Sequence, residues 1–169
     1  KDELKNLILE VKKKKIHGIN VTVPFKKTVI PYLDQLSTES KNTQSVNTIY
    51  LNNNKTIGHN TDIEGFERSI KETKLDIKNK KVLILGAGGV APSIIFALYK
   101  MKVSEIMITN RTKSKAEDLK GLFKNLKIVD WGKVPEFDII INATSVGLKK
   151  GDEINLDFSK IGKNKFFYD

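Results

Sequence analysis

The alternation of apolar and polar residues predicts helices and strands through the first part of the chain. From Asp2 to Val11, apolar residues recur at the three- and four-residue spacing of an amphipathic helix. Alternation over Ile19–Val23 predicts a short strand, which Pro24 ends because proline donates no backbone hydrogen bond. We further expect a helix over Lys26–Leu36, a hairpin that joins Thr48–Leu51 to Lys55–Gly58, and a helix over Ile63–Thr73.

From residue 82 onward the pattern becomes that of a parallel sheet. Val82–Leu85 is a continuous apolar run, as expected of a strand that is buried on both faces. A glycine turn and a helix to about Met101 follow it. The remaining predicted elements are strands at Ile106–Thr109, Lys127–Val129, Phe137–Ile141 and Lys165–Tyr168, and a helix around Ser114–Phe123. Strands that alternate with helices in this way predict βαβ units, and therefore an α/β fold.

The glycine turn carries the strongest chemical signal in the sequence. Residues 86–91 read Gly-Ala-Gly-Gly-Val-Ala, between a predicted buried strand and a predicted helix. In this G-x-G-x-x-A arrangement, Gly86 allows a tight turn, Gly88 lets the backbone approach a pyrophosphate, and Ala91 permits close packing of helix on strand. The helix N-terminus adds free N–H groups for phosphate oxygens. We interpret the segment as a dinucleotide site; the alternative is a glycine turn that binds nothing.

The second strand of this unit indicates which nicotinamide cofactor fits. NAD sites usually carry an acidic residue about 20 residues after the glycine motif, where it holds the ribose 2′-hydroxyl. Here the strand ends in Asn110-Arg111-Thr112, without a carboxylate. Arg111 can form paired hydrogen bonds to a 2′-phosphate, and Lys115 adds a second positive charge. This pattern favours NADP, unless Arg111 is an ordinary exposed arginine.

Two polar motifs precede the cofactor segment, Asn20-Val-Thr-Val-Pro-Phe-Lys26 and Gly58-His-Asn-Thr-Asp62. Each places a charged residue just after a predicted strand, where α/β sheets generally bind ligands. Lys26 could donate or relay a proton during reduction of a ketone, with Asp62 holding its ammonium group. A structural salt bridge would explain the same two residues, and spacing alone does not decide between these interpretations.

The ordered series of motifs resembles the shikimate dehydrogenase family. Besides those above, it includes Ser45-Val-Asn-Thr48 and Asn142-Ala-Thr-Ser145, and it runs from about Gly18 to Asp169. The resemblance implies reversible reduction of 3-dehydroshikimate to shikimate by NADPH, in the biosynthesis of chorismate and the aromatic amino acids. It also implies a Rossmann-type doubly wound parallel sheet (residues 65–169), preceded by part of an α/β substrate domain (residues 1–64), with the active site in the cleft between them.

The same resemblance assigns roles to individual positions. It implies a catalytic pair formed by Lys26 and Asp62, and substrate contacts from Thr22 and Asn47 besides that pair. The positions implied to bind the cofactor are Gly86, Ala87, Gly88, Gly89, Val90, Asn110, Arg111, Thr112, Lys115, Thr144 and Ser145.

The chain also departs from the family pattern. Gln44-Ser45 stands where Gly-Ala is usual, Ile63 replaces the glycine that usually follows the aspartate, and Lys115 stands where many relatives have arginine. The family's substrate-clamping serine pair and its C-terminal glutamine segment are not in the sequence. We therefore interpret the chain as a fragment, and we expect residues 1–169 alone to show weak or undetectable turnover.

Composition restricts the remaining alternatives. No cysteine is present, which excludes disulfides and cysteine–zinc sites, and we expect no bound metal. The net charge of +10 suggests nucleic acid as a partner, but the lysines are scattered and the run Lys12–Lys15 has no interleaved aromatic residues. We expect no nucleic-acid or membrane partner, a cytoplasmic location and, as a candidate assembly, a homodimer. A quinate/shikimate dehydrogenase that uses NAD, and a cofactor-binding module without catalysis, stay open.

Overall fold

The computed structural model describes residues 2–147, 149, 151–154, 156–159 and 161–169. It divides into two compact units. The first comprises the chain up to Thr73 together with Pro92–Ala97, and the second comprises Lys74–Ala91 and Leu98–Asp169. The division into functional domains at residue 64/65 stays a prediction. No helix of the described part is long and apolar enough to cross a bilayer.

The first unit is a four-stranded sheet with helices. Its strands are β1 (Gly18–Asn20), β2 (Gln35–Leu36), β3 (Thr48–Asn52) and β4 (Lys55–His59), in the order β1-β3-β4-β2. The pairs β1–β3 and β3–β4 are antiparallel, and β2–β4 is parallel. The helices are α1 (Asp2–Lys12), α2 (Phe25–Thr28), α3 (Thr38–Thr43) and α4 (Asp62–Glu72), with a 3₁₀ turn at Ile30–Tyr32. One cluster of its buried core is formed by Ile8, Val21, Val29, Val46 and Ile49.

The predicted hairpin is present, and its turn explains two asparagines, Asn53 and Asn54. Asn53 and Asn54 have φ angles of 49° and 59°. Two consecutive residues with positive φ are typical of the two-residue turn whose twist matches that of a hairpin, and asparagine tolerates this conformation. The predicted helix over Ile63–Thr73 also forms, with Phe66 and Ile70 buried.

Two predictions for this unit are wrong. The expected helix over Lys26–Leu36 is instead α2, the 3₁₀ turn and β2. The reason is Pro31, which lacks an N–H and clashes with a preceding helical turn, so that helix α2 ends at Thr28. The expected strand at Ile19–Val23 ends at Asn20, and helix α3 forms where no element was predicted.

The second unit is a five-stranded parallel sheet of the Rossmann type. Its strands are β5 (Lys81–Leu85), β6 (Glu105–Thr109), β7 (Lys127–Val129), β8 (Ile139–Asn142) and β9 (Phe166–Tyr168). Their order is β7-β6-β5-β8-β9, and every neighbouring pair is parallel. Helix α5 (Ala91–Lys100) follows β5, and α6 (Lys113–Leu122) follows β6. The predicted α/β fold with a parallel sheet is confirmed.

The central strand of this sheet is buried as its sequence predicts. The side chains of Val82, Leu83, Ile84 and Leu85 are all at most 2% exposed. The strand order reverses between β5 and β8, because the chain progresses from β5 outward to β7 and then returns to β8. Loops at the carboxyl ends of strands beside such a reversal are the usual ligand sites of open parallel sheets. The glycine turn follows β5, and Thr144-Ser145 follows β8, so both lie at this position.

Candidate functional site

The structure brings Lys26 and Asp62 together within the first unit. Lys26 Nζ donates to Asp62 Oδ2 at 2.7 Å, although 36 positions separate the two residues in the chain. Their side chains are 14% and 25% exposed. The ion pair is therefore shielded enough to be ordered, yet it remains accessible to a small molecule.

Backbone hydrogen bonds hold the three segments that form this site. The N–H of Val46 donates to the carbonyl of Lys26 at 2.9 Å, which ties α2 to the segment just before β3. The next N–H, that of Asn47, donates to the carbonyl of His59 at 3.0 Å, at the end of β4. Asp62 begins α4 three residues later. These bonds therefore hold the two ends of the β3–β4 hairpin, helix α2 and the start of α4 around the Asp62 carboxylate.

Asn47, a predicted substrate contact, is committed to protein partners. Its Nδ2 donates to Asp62 Oδ1 at 2.8 Å and to Thr61 Oγ1 at 2.9 Å. Its Oδ1 accepts from the Thr61 N–H and from the Thr48 hydroxyl, both at 3.0 Å. A side-chain amide offers two donors and two acceptor positions, and all four are used here. Any hydrogen bond from Asn47 to a substrate must replace one of these partners; its role as a ligand stays a prediction.

Thr22, the other predicted substrate contact, lies in the turn between β1 and α2. Its carbonyl accepts from the Phe25 N–H at 2.8 Å, and its side chain is exposed. Two residues of the site were not predicted: Asn60 accepts from the Asp62 N–H, and Thr61 accepts from Asn47 Nδ2. Both lie inside the motif that supplied Asp62, so their polar side chains next to a predicted catalytic residue were the available signal.

The glycine turn of the second unit has a clear steric basis at Gly86. Its φ is +101°, and a Cβ placed there would lie 2.8 Å from Thr144 Cγ2 and 2.9 Å from the Ala143 carbonyl oxygen. The Gly86 N–H donates to the carbonyl of Thr109 at 2.8 Å. By contrast, a Cβ on Gly88 would have one ordinary contact, at 3.6 Å from the Ala143 oxygen. The fold itself therefore requires a glycine at position 86. At position 88 the fold leaves room for a Cβ, and only the close approach of a ligand would require a glycine there.

Asn110 organises the glycine turn. Its Oδ1 accepts from the Ala87 N–H at 3.0 Å, and its Nδ2 donates to the carbonyl of Thr112 at 2.7 Å. The side chain thus links the turn after β5 to the turn after β6. The sequence predicted a direct cofactor contact; this geometry supports a role in shaping the loop.

Two positively charged side chains, Arg111 and Lys115, lie close to the start of α6. Within the part of the chain that the structure describes, Arg111 and Lys115 are exposed and have no acidic partner. Lys113 between them is paired with Asp130 at 3.2 Å, and this hydrogen bond, aided by Lys133, holds the pKa of Asp130 below its usual value. Among these three residues, Arg111 and Lys115 are therefore the cationic side chains left available for an anion, and their contact with a 2′-phosphate stays a prediction.

The loop after β8 is organised by its own side chains. Asn142 Oδ1 accepts from the Thr144 N–H at 3.1 Å and from its hydroxyl at 2.7 Å, and the Thr144 hydroxyl accepts from the Val146 N–H. Ser145 is exposed. Thr144 therefore shapes the loop and packs against Gly86, while the Ser145 hydroxyl faces solvent. Across the described residues, no group of three or more His, Cys, Asp or Glu side chains is arranged to hold a metal ion.

Comparisons with known proteins agree with this arrangement of motifs. A family model described as the shikimate dehydrogenase substrate binding domain matches residues 1–49, and one described as shikimate / quinate 5-dehydrogenase matches residues 68–149. The NADP(+) shikimate dehydrogenase of Pelagibacter ubique is 57% identical over 167 residues, which are 99% of this chain and 63% of that protein.

Two solved structures extend the comparison. The shikimate 5-dehydrogenase of Thermus thermophilus, in complex with NADP(H) and shikimate, is 30% identical with a TM-score of 0.85, over 97% of this chain and 61% of that one. The ligand-free 5-ketofructose reductase of a Gluconobacter strain is 31% identical with a TM-score of 0.85, over 98% of this chain and 63% of that one. The chain thus spans about three fifths of the length of these relatives. On these matches, together with its ordered motifs and its fold, the chain belongs to the shikimate dehydrogenase family.

Proposed function

We propose that the intact protein catalyses the reversible, NADP-dependent interconversion of shikimate and 3-dehydroshikimate. The observation that carries this proposal is the Lys26–Asp62 pair, at 2.7 Å, with Asn47 on the second carboxylate oxygen. The pair joins residues 36 positions apart and its side chains stay 14% and 25% exposed, so a small molecule can reach it. The family membership then favours shikimate as the substrate.

The pair can manage the proton of the reaction. The Lys26 ammonium can give a proton from Nζ to a carbonyl oxygen that is becoming a hydroxyl, and the neutral amine can accept a proton in the reverse direction. Asp62 Oδ2 directs this ammonium, while Asn47 prevents the carboxylate from rotating away. The fixed positive charge also stabilises an alkoxide as it forms.

The residues of the second unit fit NADP. When bound, NADP supplies or accepts the hydride. The turn at residues 86–90 and the following N-terminus of α5 would hold the pyrophosphate, because free N–H groups and a positive dipole end meet there. Arg111 and Lys115, which lack acidic partners among the described residues, would hold the 2′-phosphate. Thr144 and Ser145, after β8, would border the nicotinamide end.

Other substrates deserve a direct comparison, since one matching family model is described as shikimate / quinate 5-dehydrogenase and one similar structure is a 5-ketofructose reductase. The experiment is steady-state kinetics of the intact protein with shikimate, quinate and 5-ketofructose, each with NADP(H) and with NAD(H). We expect shikimate with NADP to give the highest kcat/KM. A higher value for either other substrate would reassign the reaction, and no turnover with any would leave a binding module.

Lys26→Ala tests the chemistry, and Lys27→Ala is its matched control, because Lys27 is the next residue of α2 and is exposed. Loss of a proton donor should lower kcat by about 10²–10⁴-fold with a much smaller effect on KM. Lys27→Ala should leave kcat unchanged. Equal kcat values for the parent protein and Lys26→Ala would remove Lys26 from the mechanism.

We also propose a homodimer and a cytoplasmic location, on the basis of the family, and no nucleic-acid partner, because the lysines are scattered along the sequence. Light scattering of the purified protein, cell fractionation and a gel-shift assay with duplex DNA test these three statements separately. A monomer, a membrane or periplasmic fraction, or a salt-sensitive shift would contradict the respective statement.

A further inference from the structure

Asn60, between β4 and α4, is a buried amide that forms hydrogen bonds in several directions. It is 1% exposed. Its Oδ1 accepts from the Asp62 N–H at 3.0 Å. Its Nδ2 donates to the carbonyl of Ser45 at 3.0 Å and to the hydroxyl of Ser93 at 2.9 Å, with Thr43 Oγ1 at 3.4 Å. Ser93 belongs to the segment Pro92–Ala97, which groups with the first unit.

The bond from Asn60 to the Asp62 N–H fixes the start of α4. The first N–H groups of a helix have no partner within the helix, and a side-chain oxygen just before it commonly supplies one. Thr61, the residue that directly precedes α4, forms no such side-chain bond. Asn60 therefore holds the backbone of Asp62, and this backbone sets the direction of the Asp62 side chain.

The bond from Asn60 to Ser45 fixes the other side of the carboxylate. Ser45 lies two residues before Asn47, whose Nδ2 donates to Asp62 Oδ1. The Asn60 side chain is therefore bonded to the backbone of Asp62 and to the backbone two residues before Asn47, whose side chain orients the Asp62 carboxylate. The bond to Ser93 fixes the amide itself, so that both donors and the acceptor of Asn60 are used.

We propose that Asn60 is a positioning residue, which sets the location of Asp62 and Asn47 and, through them, that of the Lys26 ammonium. The proposal rests on the proposed dehydrogenase function. Asn60 itself is too buried to touch a substrate, so its effect must pass through Asp62. A displacement of about 1 Å in a catalytic group can lower a rate by roughly 10²-fold, which makes such a residue measurable.

The test compares Asn60→Ala with Thr56→Ala in the intact protein. Thr56 is also buried, at 1% exposure, and its hydroxyl bonds to Asp34 in the same sheet. Both substitutions remove a buried, hydrogen-bonded side chain and should cost stability alike. Asn60→Ala should lower kcat by at least about tenfold while KM for shikimate changes less than about threefold, and Thr56→Ala should leave kcat unchanged.

Asn60→Asp is the second variant, and it has the shape of the parent side chain. It keeps an acceptor for the Asp62 N–H, loses the donors to Ser45 and Ser93, and adds a carboxylate close to Asp62. Because like charges disfavour ionisation, the pH profile of kcat should move to higher pH. A shift of the profile alone reports the added charge. Loss of the bonds to Ser45 and Ser93 should in addition lower kcat at the pH optimum, which replacement of a purely structural amide would not do.

The outcomes separate the two proposals. If folded Asn60→Ala keeps its kcat, or if Asn60→Asp leaves both kcat and its pH profile unchanged, Asn60 has no positioning role. If the parent protein does not oxidise shikimate, the proposed function fails. The crystal structure of Asn60→Asp then tests by itself whether Asn60 positions Asp62. We expect the Lys26 Nζ to Asp62 Oδ2 separation to lengthen well beyond its present 2.7 Å; an unchanged separation would overturn the inference.

Discussion

Substitution of Gly86 by alanine should damage the fold, whereas the same change at Gly88 should damage only cofactor binding. At Gly86 the φ of +101° is strained for any residue with a Cβ, at a cost of about 1–3 kcal/mol. The new Cβ would also lie 2.8–3.0 Å from Thr144 and from the backbone of Ala143, and such overpacking costs about 1–3 kcal/mol more. We therefore expect Gly86→Ala to lower the free energy of unfolding by roughly 2–6 kcal/mol.

Gly88 is the matched control for this loss. A Cβ there would lie 3.6 Å from the Ala143 oxygen, an ordinary contact, so Gly88→Ala should change stability by less than about 1 kcal/mol. NADPH should bind it more weakly, because the methyl group would occupy the space that the pyrophosphate needs. Urea unfolding followed by circular dichroism gives the stabilities, and NADPH fluorescence gives the affinities. A Gly86→Ala protein as stable as its parent would refute the steric argument, and undiminished affinity in Gly88→Ala would refute the proposed cofactor site.

Three further predictions follow from individual contacts. Hydrogen bonds from Lys12 first, and then from Thr56, lower the pKa of Asp34 from 3.8 to about 2. The parent protein should therefore be about 1–3 kcal/mol more stable than Asp34→Asn above pH 4, and this difference should be lost as the pH falls toward 2. Urea unfolding midpoints of both proteins at several pH values measure the difference. A difference that does not change with pH would contradict the prediction. Ser45 is 3% exposed and its Oγ has no partner among the described residues, so Ser45→Ala should raise the free energy of unfolding by about 1 kcal/mol, which a lowered thermal midpoint would disprove. Arg111→Gln should weaken NADP binding by about tenfold or more in calorimetry and leave NAD binding unchanged, whereas Lys113→Gln, which removes a lysine already paired with Asp130, should have a smaller effect; equal losses would argue against a specific phosphate contact.

Much of the second unit could be predicted from the sequence because its signals are local. A strand buried on both faces is apolar at every position, so Val82–Leu85 needed no knowledge of its neighbours. The glycine turn likewise carries its own conformational requirement. In the first unit the elements are short, and tertiary contacts decide them. Helix α3 has six residues and relies on Ser37, whose hydroxyl accepts from the Ser40 N–H, for its start.

The departures from the family pattern also acquire a physical meaning only in three dimensions. Gln44 ends α3 in the left-handed conformation, with a φ of 49°, which is the conformation that glycine adopts without strain. The glycine usual at this position is therefore explained by the backbone, and Gln44 occupies it at a cost. Ile63 is 1% exposed and belongs to the buried face of α4, so the additional side chain has become part of the core.

The polar site shows most clearly what a sequence pattern leaves undecided. The residue types of Asn47 and Asn60 are equally suited to binding a substrate or to binding other side chains, because an amide both donates and accepts. Only the structure shows that all four positions of Asn47 and the principal bonds of Asn60 lead to protein atoms around Asp62. Loss of Asn47 should therefore affect the carboxylate as well as any substrate contact. Consequently, a raised KM in an Asn47 variant would not by itself identify a ligand: only a raised KM at unchanged kcat would separate binding of the substrate from positioning of the carboxylate.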